Sequence, residues 1–189
     1  KYQDQFVVDM INSGAGTAFN MNTNEVIANV TLKILHKGLG QYKHLHPNDH
    51  VNMSQSSNDT FPTAMHVAIL FAIRDALPTI EKLVKSLGRK AKQFSSYKKV
   101  GRTHLMDALP VTLGSEFGSY ATALTIARDG IISTKKELEK LALGGTAVGT
   151  GANTPKGYRN IAIRELSKIS KLSLKPQQDM QYSLQSRYA

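Results

Sequence analysis

The chain has 189 residues, of which 41% are hydrophobic and 20% are charged, a balance that predicts a buried core and excludes an intrinsically disordered protein. It contains no cysteine, which excludes disulfides, thiolate nucleophiles and cysteine-bound zinc. The sequence has neither a leader of charged then apolar residues nor an apolar run of about 18 residues. We therefore expect a cytoplasmic protein without a signal peptide or a membrane span.

The formal net charge of +10 is concentrated in residues 82–99 and 135–175, where lysines are mixed with glutamates at helical spacings. This pattern favours solvated helix faces. A surface field that attracts anions and a nucleic-acid interface are the alternatives. We expect no nucleic-acid partner, because the sequence contains no RNA-binding aromatic motif, zinc finger or other recognisable DNA-reading pattern.

Long stretches with apolar residues about 3.6 positions apart dominate the sequence and predict an all-α protein. The first predicted helix covers residues 23–37, with Thr23 as its cap. The next runs from about residue 62 to 94; its first part, residues 63–73, is apolar nearly all round and is expected to be buried in the middle of a bundle. Pro78 is expected to kink or break this helix. Further helices are predicted at about 114–141 and at 156–170.

Three polar loops lie between the predicted helices, and we expect function there because buried helices need little beyond packing. The first loop, residues 13–25, contains two glycines that allow the backbone to approach a ligand closely. A turn followed by a capped helix is the alternative interpretation of the same residues. The neutral hydrogen-bonding side chains of this loop are Thr17, Asn20, Asn22 and Asn24.

The second loop, residues 46–59, has almost no apolar residue and leads directly into the most apolar helix of the chain. Its Ser56, Ser57 and Asn58 therefore lie where a helix begins. Backbone N–H groups and the helix dipole favour an anion such as a carboxylate at that place. Capping of the helix by Asn58 or Asp59 is the alternative, although a cap needs only one such residue.

The third loop, residues 101–110, places Thr103 beside His104. A histidine in this position can donate a hydrogen bond to a carboxylate or transfer a proton. A histidine with a purely structural role is the alternative.

Two other features suggest ligands less strongly. The glycine-rich residues 144–151 follow a predicted helix and are not followed by Lys and Ser or Thr, so we interpret them as a tight crossover between helices and not as a phosphate loop. The spacing of His44, His46 and His50 suits a metal, but Pro47 interrupts the segment and no regular helix is predicted there. We therefore predict no metal site.

Four polar stretches stand in a fixed order along the chain. They read SGAGTAFNMNTNEVIAN (13–29), HPNDHVNMSQSSNDTFPTA (46–64), GRTHLMDALP (101–110) and GGTAVGTGANTPKGY (144–158). Together these four motifs resemble the aspartase/fumarase (class II fumarase) superfamily of lyases. The resemblance implies a bundle of long helices assembled as a homotetramer, with each active site built from loops of three subunits. It also implies an N-terminal region of about 1–110 with the first substrate loops, and the start of the central helical-bundle domain at about 111–189.

The resemblance assigns residues to a site for a small dicarboxylate substrate. It implies that Thr103 and His104 are catalytic and that Thr17 and Asn58 lie near the leaving amino or hydroxyl group. It matches His46, Asn48 and Asp49 to a secondary dicarboxylate-binding segment. It implies no cofactor and no metal. The complete set of implied substrate-binding residues is Thr17, Ser56, Ser57, Asn58, Thr103 and His104.

The implied chemistry is the removal of a proton beside one carboxylate, which creates an aci-carboxylate that preorganised donors can stabilise. Members of the superfamily carry the proton-abstracting serine and a carboxylate-binding lysine in a loop of the pattern SSxMPxKxNP. These 189 residues do not contain that pattern. We therefore expect a partial lyase chain that is inactive by itself.

The motifs are divided between two activities. The run around Ala15 and the stretch NTPKGY (153–158) resemble aspartate ammonia-lyases, whereas SQSSNDTFPTAMH (54–66) and His46 followed by Pro47 resemble fumarases. Because residue 15 lies beside Thr17, the expected function is the reversible elimination of ammonia from L-aspartate to give fumarate. The alternative is class II fumarate hydratase, which interconverts L-malate and fumarate. A more distant alternative is a non-catalytic helical protein that binds an anion or acts as a scaffold.

Overall fold

The computed structural model describes residues 2–11 and 14–186, and this part of the chain is predominantly helical. The predicted all-α class is therefore confirmed. None of the described helices combines the length and the hydropathy of a membrane-spanning segment. The helices are α1 (Thr17–Ile34), α2 (Ser57–Gln93), α3 (Leu113–Leu138), α4 (Tyr158–Ser170) and α5 (Met180–Gln185), with a 3₁₀ turn at Gln3–Gln5 and a short π-helical turn at Pro47–Val51.

Short strands accompany the helices. The strands β1 (Lys98–Thr103) and β2 (Met106–Thr112) form an antiparallel hairpin. The strands β3 (Lys140–Leu141) and β4 (Lys175–Pro176) form a parallel pair.

The hairpin corrects the prediction that residues 101–110 are an irregular loop. Thr103 pairs with Met106, so that His104 and Leu105 alone form the turn. Both have positive φ, 46° and 63°, as a type I′ turn requires. This turn normally contains asparagine, aspartate or glycine, and the absence of those residues removed the usual sequence signal for a hairpin.

Helix α1 begins at Thr17, six positions before the predicted start at residue 23. Thr23 is therefore not a cap; its hydroxyl donates to the Phe19 carbonyl within the helix, at 2.9 Å. The ring of Phe19 stacks on Phe61 at a centroid distance of 5.6 Å. This long-range packing supports the polar first turns, which the apolar periodicity alone did not mark as helical.

Helix α2 continues without interruption through Pro78, so the predicted break is wrong. A proline removes a single backbone donor, and the bonds of the neighbouring turns maintain this helix. The predicted burial of residues 63–73 is also only partly correct. Leu70 is fully buried, but Met65 and Ile69 are 43% and 42% exposed within this chain.

The chain divides into two compact units. The first contains Lys1–Ala68 and Leu138–Ala189, and the second contains Ile69–Glu137. The predicted division near residue 110 concerns the domains of the complete protein and stays a prediction. The buried core of the first unit includes Ala28, Leu32, Leu141, Ile163 and Met180.

Close approach of backbones characterises the second unit. Gly114, at the start of α3, is buried, and a Cβ atom built on it would lie 2.4 Å from the Ala91 carbonyl oxygen and 2.8 Å from Ser95 Cα. The Phe94 and Phe117 rings pack nearby at 5.5 Å. Only glycine fits at position 114.

Two substitutions on α3 should therefore change stability in opposite directions. Gly114→Ala is expected to destabilise the protein by about 1–3 kcal/mol, because the methyl group must displace backbone atoms. Gly130→Ala is the matched control, since nothing lies within 4 Å of its added methyl group. It should stabilise by about 0.5–1 kcal/mol through the helix propensity of alanine. Chemical denaturation measures both, and changes of the same sign would contradict the packing described.

Candidate active site

The residues of the first motif that precede α1 have a left-handed backbone conformation. Gly14, Ala15 and Gly16 have φ values of 96°, 49° and 89°, and Thr17 is the first helical residue. Ser13, which opens the motif, lies outside the described residues. Three successive left-handed residues turn the chain sharply, so that the exposed Thr17 side chain lies at the helix entrance.

The second motif caps α2. The Ser56 hydroxyl accepts from the Asn58 amide at 3.1 Å, and the Asp59 carboxylate accepts from the Ser56 amide at 3.0 Å. This reciprocal arrangement is a capping box with aspartate at its third helical position. The Ser57 hydroxyl lies 3.3 Å from the Thr17 hydroxyl. The structure thus brings Thr17, Ser56, Ser57 and Asn58 together where α1 and α2 begin.

Asp59 is fully buried and connects this helix start to the glycine-rich motif. Its second carboxylate oxygen accepts from the Gly144 amide at 3.0 Å and from the Thr146 amide at 2.8 Å. The Asn58 side-chain nitrogen donates to the Ala147 carbonyl at 2.9 Å. Residues 144–151 lie between α3 and α4, as the crossover interpretation expects, and they are in addition hydrogen-bonded to the predicted site.

Burial also changes the acid–base properties of two groups. Loss of hydration raises the pKa of Asp59, and the amides of Ser56, Thr146 and Gly144 partly oppose this rise. Burial and the charge of Asp59 raise the pKa of Tyr158, against a hydrogen bond from Gln55. The hydrogen bonds from these amides therefore offset part of the cost of burying the Asp59 carboxyl group.

An asparagine cluster holds α1 against the second motif. The Asn52 side-chain oxygen accepts from the side-chain nitrogens of Asn20 and Asn24, both at 3.1 Å. The Thr60 hydroxyl lies 3.1 Å from the Asn20 side-chain oxygen. Two of the neutral groups predicted to face a ligand, Asn20 and Asn24, are therefore engaged inside the protein.

The predicted secondary dicarboxylate-binding segment, His46 to Asp49, forms hydrogen bonds within its own turn. The His46 Nδ1 atom accepts from the Asn48 amide at 3.2 Å and from the Asp49 amide at 3.1 Å. The His46 amide in turn donates to His50 Nδ1 at 2.8 Å. The Asn48 and Asp49 amides could donate to a bound anion, but in this structure they donate to the imidazole of His46. Within residues 2–11 and 14–186, no three histidine or acidic side chains gather closely enough to hold a metal ion.

Thr103 and His104 lie in the second unit, at the tip of the β1–β2 hairpin. Both side chains are exposed, and Leu105 beside them is 95% exposed. The other predicted substrate-binding residues belong to the first unit. A joint role of the two groups at one site stays a prediction.

Backbone strain in the described residues concentrates in the four motifs. A positive φ is costly for a residue with a Cβ atom and typically persists where surrounding structure enforces it, often at functional sites. Two non-glycine residues with positive φ lie outside the motifs, His36 and Lys171, and they follow the ends of α1 and α4. The strained residues within the motifs are Ala15, Ser54, His104, Leu105, Thr146 and Asn153.

Sequence reasoning missed two parts of this arrangement. The capping signal, serine followed three positions later by an acidic residue, was present at Ser56 and Asp59. That signal predicts a helix start, but it gives no indication of a partner 85 residues away. Residues 144–151 were interpreted from the absence of phosphate-loop residues. Their contacts with Asp59 are made by backbone amides, and side-chain identity does not predict such contacts.

Comparison with known proteins matches the whole chain to lyases. The family model described as Lyase matches residues 1–189. An aspartate ammonia-lyase from Pseudomonas aeruginosa is 45% identical over 180 residues, which are 95% of this chain and 38% of that protein. A class II fumarate hydratase from Haemophilus influenzae is 48% identical over 174 residues, 91% of this chain and 37% of that protein. The chain thus spans well under half the length of these relatives.

Solved structures give the same result. A crystal structure of a fumarate lyase:delta crystallin from Brucella melitensis has a TM-score of 0.89 and 41% identity, covering 96% of this chain and 39% of that one. A class II fumarase from Schistosoma mansoni has a TM-score of 0.86 and 34% identity, covering 96% of this chain and 41% of that one. Both likenesses extend over almost the entire fold described above.

The entrance to α1 allows a matched test of packing. Gly16 and Gly14 both have positive φ, so alanine at either position suffers similar backbone strain. Only at Gly16 would the added methyl group overlap a neighbour, lying 2.3 Å from the Phe61 ring. Gly16→Ala should therefore cost about 1–3 kcal/mol more than Gly14→Ala in chemical denaturation. Equal losses for the two variants would show that Phe61 does not constrain the helix entrance.

Proposed function

This chain belongs to the aspartase/fumarase superfamily of lyases, and on that premise we propose that the complete protein eliminates a leaving group from a four-carbon dicarboxylate to give fumarate. The observation that carries the proposal is the meeting of Thr17, Ser57 and Asn58 at the amino ends of α1 and α2. The Thr17 and Ser57 hydroxyls and the helix N–H groups in that place suit a carboxylate, and the Asn58 side chain lies beside them.

In the proposed mechanism, hydroxyl, amide and imidazole groups stabilise the aci-carboxylate formed when a proton leaves the carbon beside a carboxylate. Such preorganised donors act most strongly where charge develops during the reaction. Thr17 and Asn58 are proposed to contact the leaving group, and Thr103 and His104 to contact a carboxylate. We assign no base within these 189 residues, and we propose that they are inactive by themselves.

We further propose a homotetramer whose active sites combine loops of different subunits, because the superfamily resemblance implies this arrangement. In that assembly the hairpin with Thr103 and His104 is contributed by a neighbouring subunit. The exposure of the hairpin tip, with Leu105 at 95%, is compatible with such a contact.

L-aspartate is the proposed substrate, and L-malate is the second candidate. Ala15 supports L-aspartate, since the stretch around it resembles aspartate ammonia-lyases and fumarases usually have a serine at this position. The stretch 54–66 supports L-malate, as does the 48% identity to a class II fumarate hydratase.

An absorbance assay for fumarate separates these possibilities. The complete protein is expected to form fumarate from L-aspartate and to act on L-malate much more slowly. Activity with L-malate alone would favour the second candidate. Activity with neither compound, in a protein shown to be folded and tetrameric, would refute the proposed function.

His104→Ala tests the assignment of the hairpin in the complete enzyme. Loss of one hydrogen bond to an anion, worth roughly 1.5–3 kcal/mol, should lower kcat/KM at least about tenfold. The tetramer and the melting temperature should be preserved. His44→Ala is the matched control and should leave kcat/KM unchanged. A His104 variant that melts early but turns over normally would remove this residue from the site.

A further inference from the structure

We propose that Asp59 is a positioning residue that, by holding the glycine-rich loop, orients the Asn58 side chain so that its amide oxygen faces the leaving group of the substrate. This inference rests on the proposed function, since it concerns a contact within that same site. It goes further by assigning a role to a buried residue that is itself out of reach of substrate.

The carboxylate of Asp59 joins the start of α2 to the glycine-rich loop. Asp59 is fully buried, and its oxygens accept from the amides of Ser56, Gly144 and Thr146 at 2.8–3.0 Å. A buried carboxylate without such donors is strongly unfavourable, so these bonds hold the loop and the helix start together. Thr146 has a left-handed φ of 58°, a conformation that a non-glycine residue keeps only under constraint.

The side-chain amide of Asn58 is oriented by the same loop. Its nitrogen donates to the Ala147 carbonyl at 2.9 Å. A carbonyl can only accept, so the amide nitrogen must point to the loop and the amide orientation is determined. The side-chain oxygen of Asn58 accepts no hydrogen bond from any residue that the structure describes. Asn58 is exposed, and this oxygen is left as an acceptor for a ligand.

The loop connects Asp59 to Asn58. Ala147 directly follows Thr146, so the carbonyl that orients Asn58 is placed by the bond from Thr146 to Asp59. An acceptor oxygen suits a group that carries hydrogens, such as the ammonium of L-aspartate or the hydroxyl of L-malate. It does not suit a carboxylate. When the loop is released, the amide of Asn58 can rotate, and the contact with the leaving group is lost.

Asp59→Ala in the complete enzyme tests this chain of contacts, because it removes both oxygens that accept from the Ser56, Gly144 and Thr146 amides. The measurements are kcat and KM for whichever substrate the wild type converts, and the inhibition constant of succinate. Succinate has both carboxylates but no amino or hydroxyl group. We expect kcat/KM to fall roughly tenfold or more, while the inhibition constant of succinate changes less than about threefold.

Thr63→Val is the matched control. Thr63 is buried one turn further along α2 and donates to the Asp59 backbone carbonyl at 2.8 Å, so its substitution perturbs the same helix without touching the loop. Thr63→Val should leave kcat/KM and the inhibition constant of succinate unchanged. Hydrogen exchange of residues 143–149 should be faster in Asp59→Ala and unchanged in Thr63→Val, because only the first releases the Gly144 and Thr146 amides.

Asp59→Asn keeps a single acceptor oxygen, so that at least one of the three amide contacts is lost, and it serves if Asp59→Ala does not fold. The same selective loss of substrate turnover, with succinate binding preserved, supports the proposal in either variant. Parallel weakening of substrate and succinate would show a general structural role and overturn it. A wild type that neither converts a substrate nor binds succinate would instead refute the proposed function.

Discussion

The buried carboxylate of Asp59 is the constraint on which the rest of the site depends. It joins the start of α2 to a loop 85 residues later through amide donors at 2.8–3.0 Å. Removing a carboxylate from water costs several kcal/mol unless donors replace the lost hydration. The surrounding backbone must therefore supply those donors, and this explains why Thr146 is kept in a left-handed conformation. The helix start and the loop cannot move independently.

The entrance to α1 is fixed against the same place by packing and by amide contacts. Phe61 stacks on Phe19 and leaves room only for a glycine at position 16. Asn52 accepts from two asparagines of α1. Because an aromatic pair and a hydrogen-bonded cluster act at neighbouring turns, the Thr17 and Ser57 hydroxyls are held 3.3 Å apart. Side chains that contact a substrate can thus be short and neutral, since buried neighbours determine their positions.

The positive net charge contributes little to this arrangement. The described ion pairs include Lys168 with Glu165 and Arg164 with Glu165, whose side chains are 46–63% exposed. Pairs of this kind contribute about 0–1 kcal/mol each. The interpretation of the basic stretches as solvated helix faces agrees with this exposure. Recognition of a carboxylate at the amino ends of the helices would instead rely on hydroxyls, amides and the helix dipole.

The sequence by itself determined the helical class, the approximate helices and the four motifs, because apolar periodicity and long polar runs are local properties. It identified Thr17, Ser56, Ser57 and Asn58, which the structure places side by side. Only the tertiary structure decided where α1 begins, that residues 101–110 form a hairpin and that Asp59 binds the glycine-rich loop. These features depend on contacts between distant segments and on backbone amides. Every residue except proline carries such an amide, so the pattern of side chains does not predict which amides form long-range hydrogen bonds.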